Sequence, residues 1–258
     1  MTIFYFSGTG NSYWAAKEIG RHFSAEVTSI TDGASETEVT VDDDVIGIVA
    51  PTYISDVPWM MKAFLLKVTA AAANQPYTFA VMTSNCGTSG KAFESIDRAL
   101  QHRNMKLSLA FDLQMPGNCV MSTAEENQQR FHDAPERIAG ICAAITERTV
   151  NYTSVDKKIN PLNFAKPGLV NSVLTHFKVT DACNHCGQCI RICPTGSMEH
   201  VSGKVVHRSN CAACYACLHW CPKQAILVNV PSFKNIRQYH HPEISFGELF
   251  SNQSRCAE

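Results

Sequence analysis

Eight of the chain's twelve cysteines fall into two copies of one pattern, C-x2-C-x2-C-x3-C-P, and this repeat is the tightest limit on what residues 183–222 can fold into. The first copy is Cys183, Cys186, Cys189, Cys193 and Pro194; the second is Cys211, Cys214, Cys217, Cys221 and Pro222. A single shift in register superposes all ten positions. Three thiolates on one tight loop can surround one face of a metal–sulfur cubane, whereas the fourth cannot bend back onto it. Zinc is the competing reading, because paired C-x2-C motifs are also a zinc signature. Tetrahedral zinc would take four thiolates per site and leave the third C-x2 interval and both prolines unexplained. A disulfide framework fits less well still.

The spacing resembles that of the bacterial two-cluster ferredoxins, in which the fourth cysteine of each run ligates the other cluster. The resemblance implies two [4Fe-4S] centres, one held by Cys183, Cys186, Cys189 and Cys221, the other by Cys211, Cys214, Cys217 and Cys193. The runs are then cross-laced, and a small α+β module folds together with its clusters. Val201 to Val206, around Ser202-Gly203, reads as a hairpin joining the runs. Tyr215 and Trp220 are expected to pack against sulfur.

A cluster module of this kind takes roughly 50 residues, since small modules need a metal staple. The rest of a 258-residue chain that is 45% hydrophobic is enough for one further domain. Nothing at the N-terminus reads as a signal peptide, and no stretch approaches the roughly 20 apolar residues of a membrane span. Thiolate ligands without a secretory signal point to a reducing cytoplasm. A net charge of -1 argues against a nucleic-acid partner. The charge is unevenly spread: residues 1–147 carry 10 Lys and Arg against 17 Asp and Glu, and residues 148–258 carry 12 against 6. Such halves can dock on each other or steer a charged redox partner.

Ile3 to Phe6 form a continuous apolar run, the mark of a strand covered on both faces of a parallel sheet. Ser7-Gly8-Thr9-Gly10-Asn11-Ser12 follows, and then a helical pattern carrying Ala15, Ile19 and Phe23. Strand, glycine-and-hydroxyl loop and helix together aim backbone N–H groups and a helix dipole at an anion. The loop lacks the G-K-[ST] of a triphosphatase and, with Tyr13 at the last glycine position, the G-x-G-x-x-G of a dinucleotide fold. S-x-T-G-N-S after a first strand resembles the flavodoxin phosphate loop. The resemblance implies FMN, its single phosphate held by hydrogen bonds without a cationic side chain.

Further strands are expected at Glu26–Ile30, Val45–Ala50, Tyr77–Thr83 and Lys106–Leu113. With helices between them, the resemblance implies an α/β, flavodoxin-like doubly wound parallel sheet of order 2-1-3-4-5. Its ligand edge would gather three more loops. Pro51-Thr52-Tyr53 leads one, with Tyr53 covering the flavin ring and a helix beyond it bearing Met61, Phe64, Leu65 and Val68. Ser84-Asn85-Cys86-Gly87 offers backbone amides to the flavin edge, and Cys86 is either a redox thiol or a small packing residue. Gln114 to Asn118 is the last, after which Ser122 and Glu125 form a capping box for a long helix bearing Phe131, Ile138, Ile141 and Ile145. His102, His132 and His176 read as surface or helix residues.

The whole chain resembles flavodoxin–ferredoxin fusion proteins. The expected division is residues 1–147 for the FMN domain, 148–178 for a linker with a short helix near Leu169–Phe177, 179–230 for the ferredoxin module and 231–258 for a tail. In the tail, Ser245 and Glu248 cap a helix bearing Leu249 and Phe250. The implied role is electron transfer between two [4Fe-4S] clusters and FMN, joining one-electron to two-electron carriers. The partner is then a redox protein or a small electron acceptor. The rivals are a flavin-dependent reductase of a quinone, nitro compound or similar acceptor, and a redox sensor using Cys86, Cys119, Cys142 or Cys256. Oligomeric state is left open.

Overall fold

The computed structural model describes residues 1–32, 36–71, 75–154, 159, 164–166, 174–228 and 236–251. Five parallel strands form the central sheet: β1 (Thr2–Tyr5), β2 (Glu26–Ser29), β4 (Val45–Pro51), β6 (Tyr77–Ser84) and β7 (Leu109–Gln114). Their order is β2-β1-β4-β6-β7, which in chain order is the flavodoxin order 2-1-3-4-5. Register is set by pairs such as Tyr5 with Ser29, Tyr5 with Val49, and Ala50 with Met82. The central strands are buried on both faces, which is why they are continuous apolar runs: Ile3, Tyr5, Ile46, Ile48, Phe79 and Met82 are fully covered.

Four helices cover the sheet: α1 (Asn11–Phe23), α2 (Trp59–Leu65), α3 (Ala92–Gln101) and α4 (Ala124–Thr146). Helix α1 buries Trp14, Ala15, Ala16 and Ile19, and Arg21 and His22 in its last turn oppose its dipole. Three sequence expectations shift here. Helix α2 stops at Leu65, and Val68 lies in a short strand, β5 (Val68–Ala70), paired in parallel with β3 (Val39–Val41). The capping box of α4 is Thr123 with Glu126, one residue beyond the expected pair: Glu126 N–H donates to Thr123 Oγ1 at 3.1 Å, and Thr123 N–H to Glu126 Oε2 at 2.8 Å. Strand β7 begins at Leu109 because the chain before it is held by other bonds; Leu107 N–H donates to the Asp97 carboxylate at 3.0 Å.

The cysteine module has a pseudo-two-fold plan. One half runs β8 (Phe177–Val179), α5 (Gln188–Arg191), β9 (Met198–Val201), and the other β10 (Lys204–His207), α6 (Ala216–His219), β11 (Ile226–Val228). Strands pair antiparallel across the halves, β9 with β10 and β8 with β11. The second half repeats the first 28 positions on, Cys183 to Cys211, and the backbone repeats with it. Left-handed residues fall at His185 and Ala213, at Gly187 and Tyr215, and at Gly196 and Gln224. Each pair winds the loop in the same place. Phe177 is in a strand where a helix end was expected; residues 169–173 of that expected helix lie outside the described part.

The module keeps a small core of Met198, Val205, Tyr215, Leu218, Ile226 and Val228. Its other face, with Ile192, Ala212, Ala216 and Trp220, joins the core of the sheet domain without a break. A last helix, α7 (Phe246–Ser251), follows the expected cap: Glu248 N–H donates to Ser245 Oγ at 3.2 Å, and Ser245 N–H to Glu248 Oε2 at 3.0 Å. Among the described residues, no helix is long and apolar enough to cross a membrane.

Candidate functional site

The carboxyl ends of β1, β4, β6 and β7 open onto one cavity of about 320 Å³. Of the residues expected there, Ser7, Gly8, Thr9, Asn11, Ser12, Pro51, Thr52, Tyr53, Ser84, Asn85 and Cys86 line it. Gly10 and Gly87 lie just outside. Gly10 sits beneath His241 and Ile244 with φ of 97°, and Gly87 sits against Gln114. The wall also takes in Asn118 and Cys119, which were not assigned to the site; their loop was recognisable at the ligand edge, but no residue type in it signals flavin contact.

The cavity suits a phosphate-bearing polar ligand. Helix α1 starts directly after the carboxyl end of β1, so its first N–H groups face the cavity end of the sheet, and neither a side-chain cap nor an acidic residue in the first turn competes for them. Among the described lining residues there is no Lys or Arg. Two hydroxyl oxygens in the wall, Thr52 Oγ1 and Ser84 Oγ, are buried without a partner. Buried hydroxyls are ordinarily bonded, and a ligand with several acceptors and donors would satisfy these. Ser12 and Thr83 share a hydrogen bond of 2.7 Å, which aims both hydroxyls at the loop. Asn11 acts through its side chain as a joint, donating to the Pro116 carbonyl at 2.9 Å and accepting from the Tyr239 hydroxyl at 2.5 Å.

The second cysteine run packs against the back of this wall. Asn118 Nδ2 donates to the Cys214 carbonyl at 3.3 Å, and Trp59 Nε1 to the Cys211 carbonyl at 3.4 Å. Gly8 is packed so closely there that a Cβ would stand 2.5 Å from the Cys214 carbonyl oxygen. Trp220, expected against sulfur, instead donates its indole N–H to the Gly8 carbonyl at 3.0 Å and stacks on His240. Tyr215 packs in the module core beside Cys217 and donates to the Leu174 carbonyl at 2.9 Å.

The eight thiols fall into two groups. Cys183, Cys186, Cys189 and Cys221 line one small cavity together. Cys193 lies toward the other run, its loop tied to the residue before Cys211: Ser197 Oγ donates to Asn210 Oδ1 at 2.6 Å, and Asn210 Nδ2 to the Thr195 carbonyl at 2.9 Å. The fourth cysteine of each run is cradled identically, Cys193 Sγ accepting from Ser197 N–H at 3.2 Å and Cys221 Sγ from Ala225 N–H at 3.3 Å. Burial pushes the Cys189 and Cys211 thiols up to about 11, and Cys214 and Cys217 higher. Thiols held protonated must release protons on binding iron, so cluster assembly is coupled to pH. Among the described residues, no three His, Cys, Asp or Glu side chains are grouped as a site for a single metal ion. A donor set of four thiols per group with N–H groups aimed at sulfur fits an iron–sulfur cluster.

Residues 236–245 strap the two parts together. His241 N–H donates to the Thr9 carbonyl at 2.8 Å, and Trp14 Nε1 to Glu243 at 3.1 Å. Gln238 Nε2 reaches the Leu218 and Cys221 carbonyls at 2.9 and 2.6 Å. His219 links all three elements: Tyr239 N–H donates to its Nδ1 at 3.0 Å, and its Nε2–H donates to the Asn118 carbonyl at 2.7 Å. Burial holds its pKa down at about 4, so the ring is neutral and both nitrogens are used.

Residues 176–222 match the family model of the 4Fe-4S dicluster domain. Among solved structures, the chain is similar to a flavodoxin of Streptococcus pneumonia TIGR4 (18% identity, 54% of this chain and 97% of that one, TM-score 0.33). It is similar to a flavodoxin from the domain Archaea (17% identity, 54% and 97%, TM-score 0.33). Rubredoxin oxygen:oxidoreductase of Desulfovibrio gigas is a further match (12% identity, 57% and 36%, TM-score 0.33). A comparison with curated proteins returned no match. The strand order and the dicluster match together define a flavodoxin-like domain fused to a 4Fe-4S ferredoxin-like module.

Proposed function

We propose that the protein passes electrons between two [4Fe-4S] clusters and FMN. The observation that carries this reading is the wall shared by the flavin cavity and the second cysteine run, where Gly8 and Asn118 meet the backbone of Cys214. The cluster ligands are Cys183, Cys186, Cys189 and Cys221 for one centre and Cys193, Cys211, Cys214 and Cys217 for the other; the two thiol groups described above support this division. The division of the chain into residues 1–147, 148–178, 179–230 and 231–258 belongs to the same reading.

Exposure gives the relay an order. In the first group Cys186 is exposed, Cys183 and Cys221 are half-buried and Cys189 is buried, whereas Cys211, Cys214 and Cys217 are all buried, on the side that meets Gly8 and Asn118. The Cys183 group is the outer station, where a redox partner docks, and the Cys211 group the inner one. When bound, FMN supplies storage for two electrons that clusters deliver singly. The chain's part is to bind and orient: the N–H groups after Gly10 with Thr9 and Ser12 take the phosphate, Thr52 and Ser84 bond polar atoms, and Tyr53 covers one side of the ring. Trp220, by bonding the Gly8 carbonyl, holds inner cluster and phosphate loop in one geometry.

Anaerobic reconstitution tests the reading. It predicts one FMN and about eight iron and eight sulfide atoms per chain. In stopped-flow reduction by a one-electron donor, cluster bleaching should precede flavin bleaching. Flavin reduction at an equal rate in protein that lacks clusters would overturn it.

A further inference from the structure

Two cysteines outside the cluster pattern, Cys86 and Cys119, both line the flavin cavity. They stand on different loops, Cys86 exposed after β6 and Cys119 half-buried after β7. These loops are stitched together at the neighbouring residue. Asn85 accepts from Gln114 Nε2 at its carbonyl (3.0 Å), and from the Ser122 hydroxyl (2.5 Å) and Arg130 Nη1 (2.7 Å) at its side-chain oxygen. Gly117 lies directly on Asn85: a Cβ added there would stand 3.1 Å from the Asn85 Cβ. Both thiols face one cavity from loops in contact at Asn85 and Gly117. Burial raises the Cys119 thiol above its ordinary range.

We propose that Cys86 and Cys119 form a dithiol/disulfide couple that takes two electrons from the flavin and reduces low-molecular-mass disulfides at the cavity mouth. The proposal rests on the flavin reading above. Cys86, the exposed thiol, attacks one sulfur of the substrate as its thiolate; the substrate S–S bond breaks, a Cys86–substrate disulfide forms, and the first thiol leaves with a proton. Cys119 then attacks the Cys86 sulfur, forming the Cys86–Cys119 disulfide and expelling the second thiol with its proton. That disulfide accepts two electrons and two protons from the reduced flavin, restoring both thiols as the flavin is oxidised. Overall one disulfide, two electrons and two protons give two thiols, the electrons arriving singly through the clusters. An exposed attacking thiol and a deeper resolving thiol are the arrangement this sequence of exchanges needs.

The test uses the cluster- and flavin-loaded protein under anaerobiosis in buffers of reduced and oxidised dithiothreitol, followed by alkylation and tryptic digestion. Cys86 and Cys119 fall on separate peptides, residues 68–91 and 107–130, each with no other cysteine. The linked pair should appear in one two-electron transition, its ratio changing tenfold per about 30 mV. Cys86→Ser and Cys119→Ser should each abolish the link. Photoreduced protein mixed with oxidised glutathione should release one thiol per electron lost by flavin and clusters together, at least tenfold more slowly in either variant. Both peptides fully alkylated and unlinked at every potential, with FMN bound, would overturn the couple. Flavin fluorescence separates the two failures: absent FMN binding sinks the functional reading, while the peptide link still decides whether the thiols pair.

Discussion

Gly8→Ala is the most direct probe of the wall between flavin cavity and inner cluster. The added methyl would lie 2.5 Å from the Cys214 carbonyl oxygen, 3.1 Å from the Cys214 Cβ and 3.2 Å from the Tyr53 hydroxyl. The first distance is about 1 Å short of an ordinary contact. Because the obstacle is backbone, relief requires the phosphate loop and the cysteine loop to separate. Separation by that amount stretches the Trp220–Gly8 bond from 3.0 Å beyond hydrogen-bonding range and strands a buried carbonyl. Overpacking costs about 1–3 kcal/mol and the stranded acceptor about 1–3 more, though one movement partly relieves both. A net loss of roughly 2–4 kcal/mol is expected, which lowers Tm by about 5–15 °C in a chain of this size. Anaerobic calorimetry with FMN titration reads both effects. Gly140→Ala is the control: nothing lies within 4 Å of its Cβ in helix α4, so a gain of about 0.5–1 kcal/mol is expected. A Gly8→Ala protein with unchanged Tm and FMN affinity would refute the close packing of cluster loop on flavin loop.

Cys193→Ala should damage the cluster of the Cys211 run, and Cys221→Ala that of the Cys183 run; paramagnetic resonance with one cluster marked by a Cys→Ser change distinguishes them, and loss within the same run would refute the cross-lacing. Tyr239→Phe removes the bond to Asn11 (2.5 Å), costs about 1 kcal/mol and should weaken FMN by about fivefold, read by flavin fluorescence. Burial holds His241 at about 4 against an ordinary 6.5, so the folded chain keeps it neutral; its contribution is present above pH 6.5 and lost as pH falls toward 4. The loss approaches roughly 3 kcal/mol at the limit. His241→Phe should flatten the pH dependence of hydrogen exchange in residues 236–245 over that range, and an unchanged slope would count against the assignment.

The five-stranded sheet was legible because buried parallel strands are unbroken apolar runs, as in Ile46 to Ala50. Val68 misled for a related reason. Met61, Phe64, Leu65 and Val68 keep helical spacing, and apolar periodicity does not register that the chain has turned into a three-residue strand. The α4 cap failed by one residue because Ser122 and Thr123 both precede a glutamate by three; the competing partner, Asn85, holds the Ser122 hydroxyl from 37 residues away. The two cysteine runs were readable from spacing and their proposed grouping came from the family resemblance, but the winding of the loops was in neither. His185, Ala213, Tyr215 and Gln224 adopt left-handed backbone without being glycine, so the winding leaves no local signature even though the repeat itself does. The strap was hidden for another reason: Gln238, Tyr239 and His241 act through single bonds to distant loops and have no periodicity.

The bond from Trp220 to Gly8 spans 212 residues of chain, and that from Tyr239 to Asn11 spans 228. During synthesis at about 5–20 residues per second, roughly 10–40 s pass between the emergence of the phosphate loop and that of its indole partner. Over that interval the Gly8 and Thr9 carbonyls lack their Trp220 and His241 donors, and the sheet domain lacks the Trp220 ring that later completes its core. The bracing of the phosphate loop by Trp220 therefore waits on synthesis of the cysteine module, nearly the whole chain later.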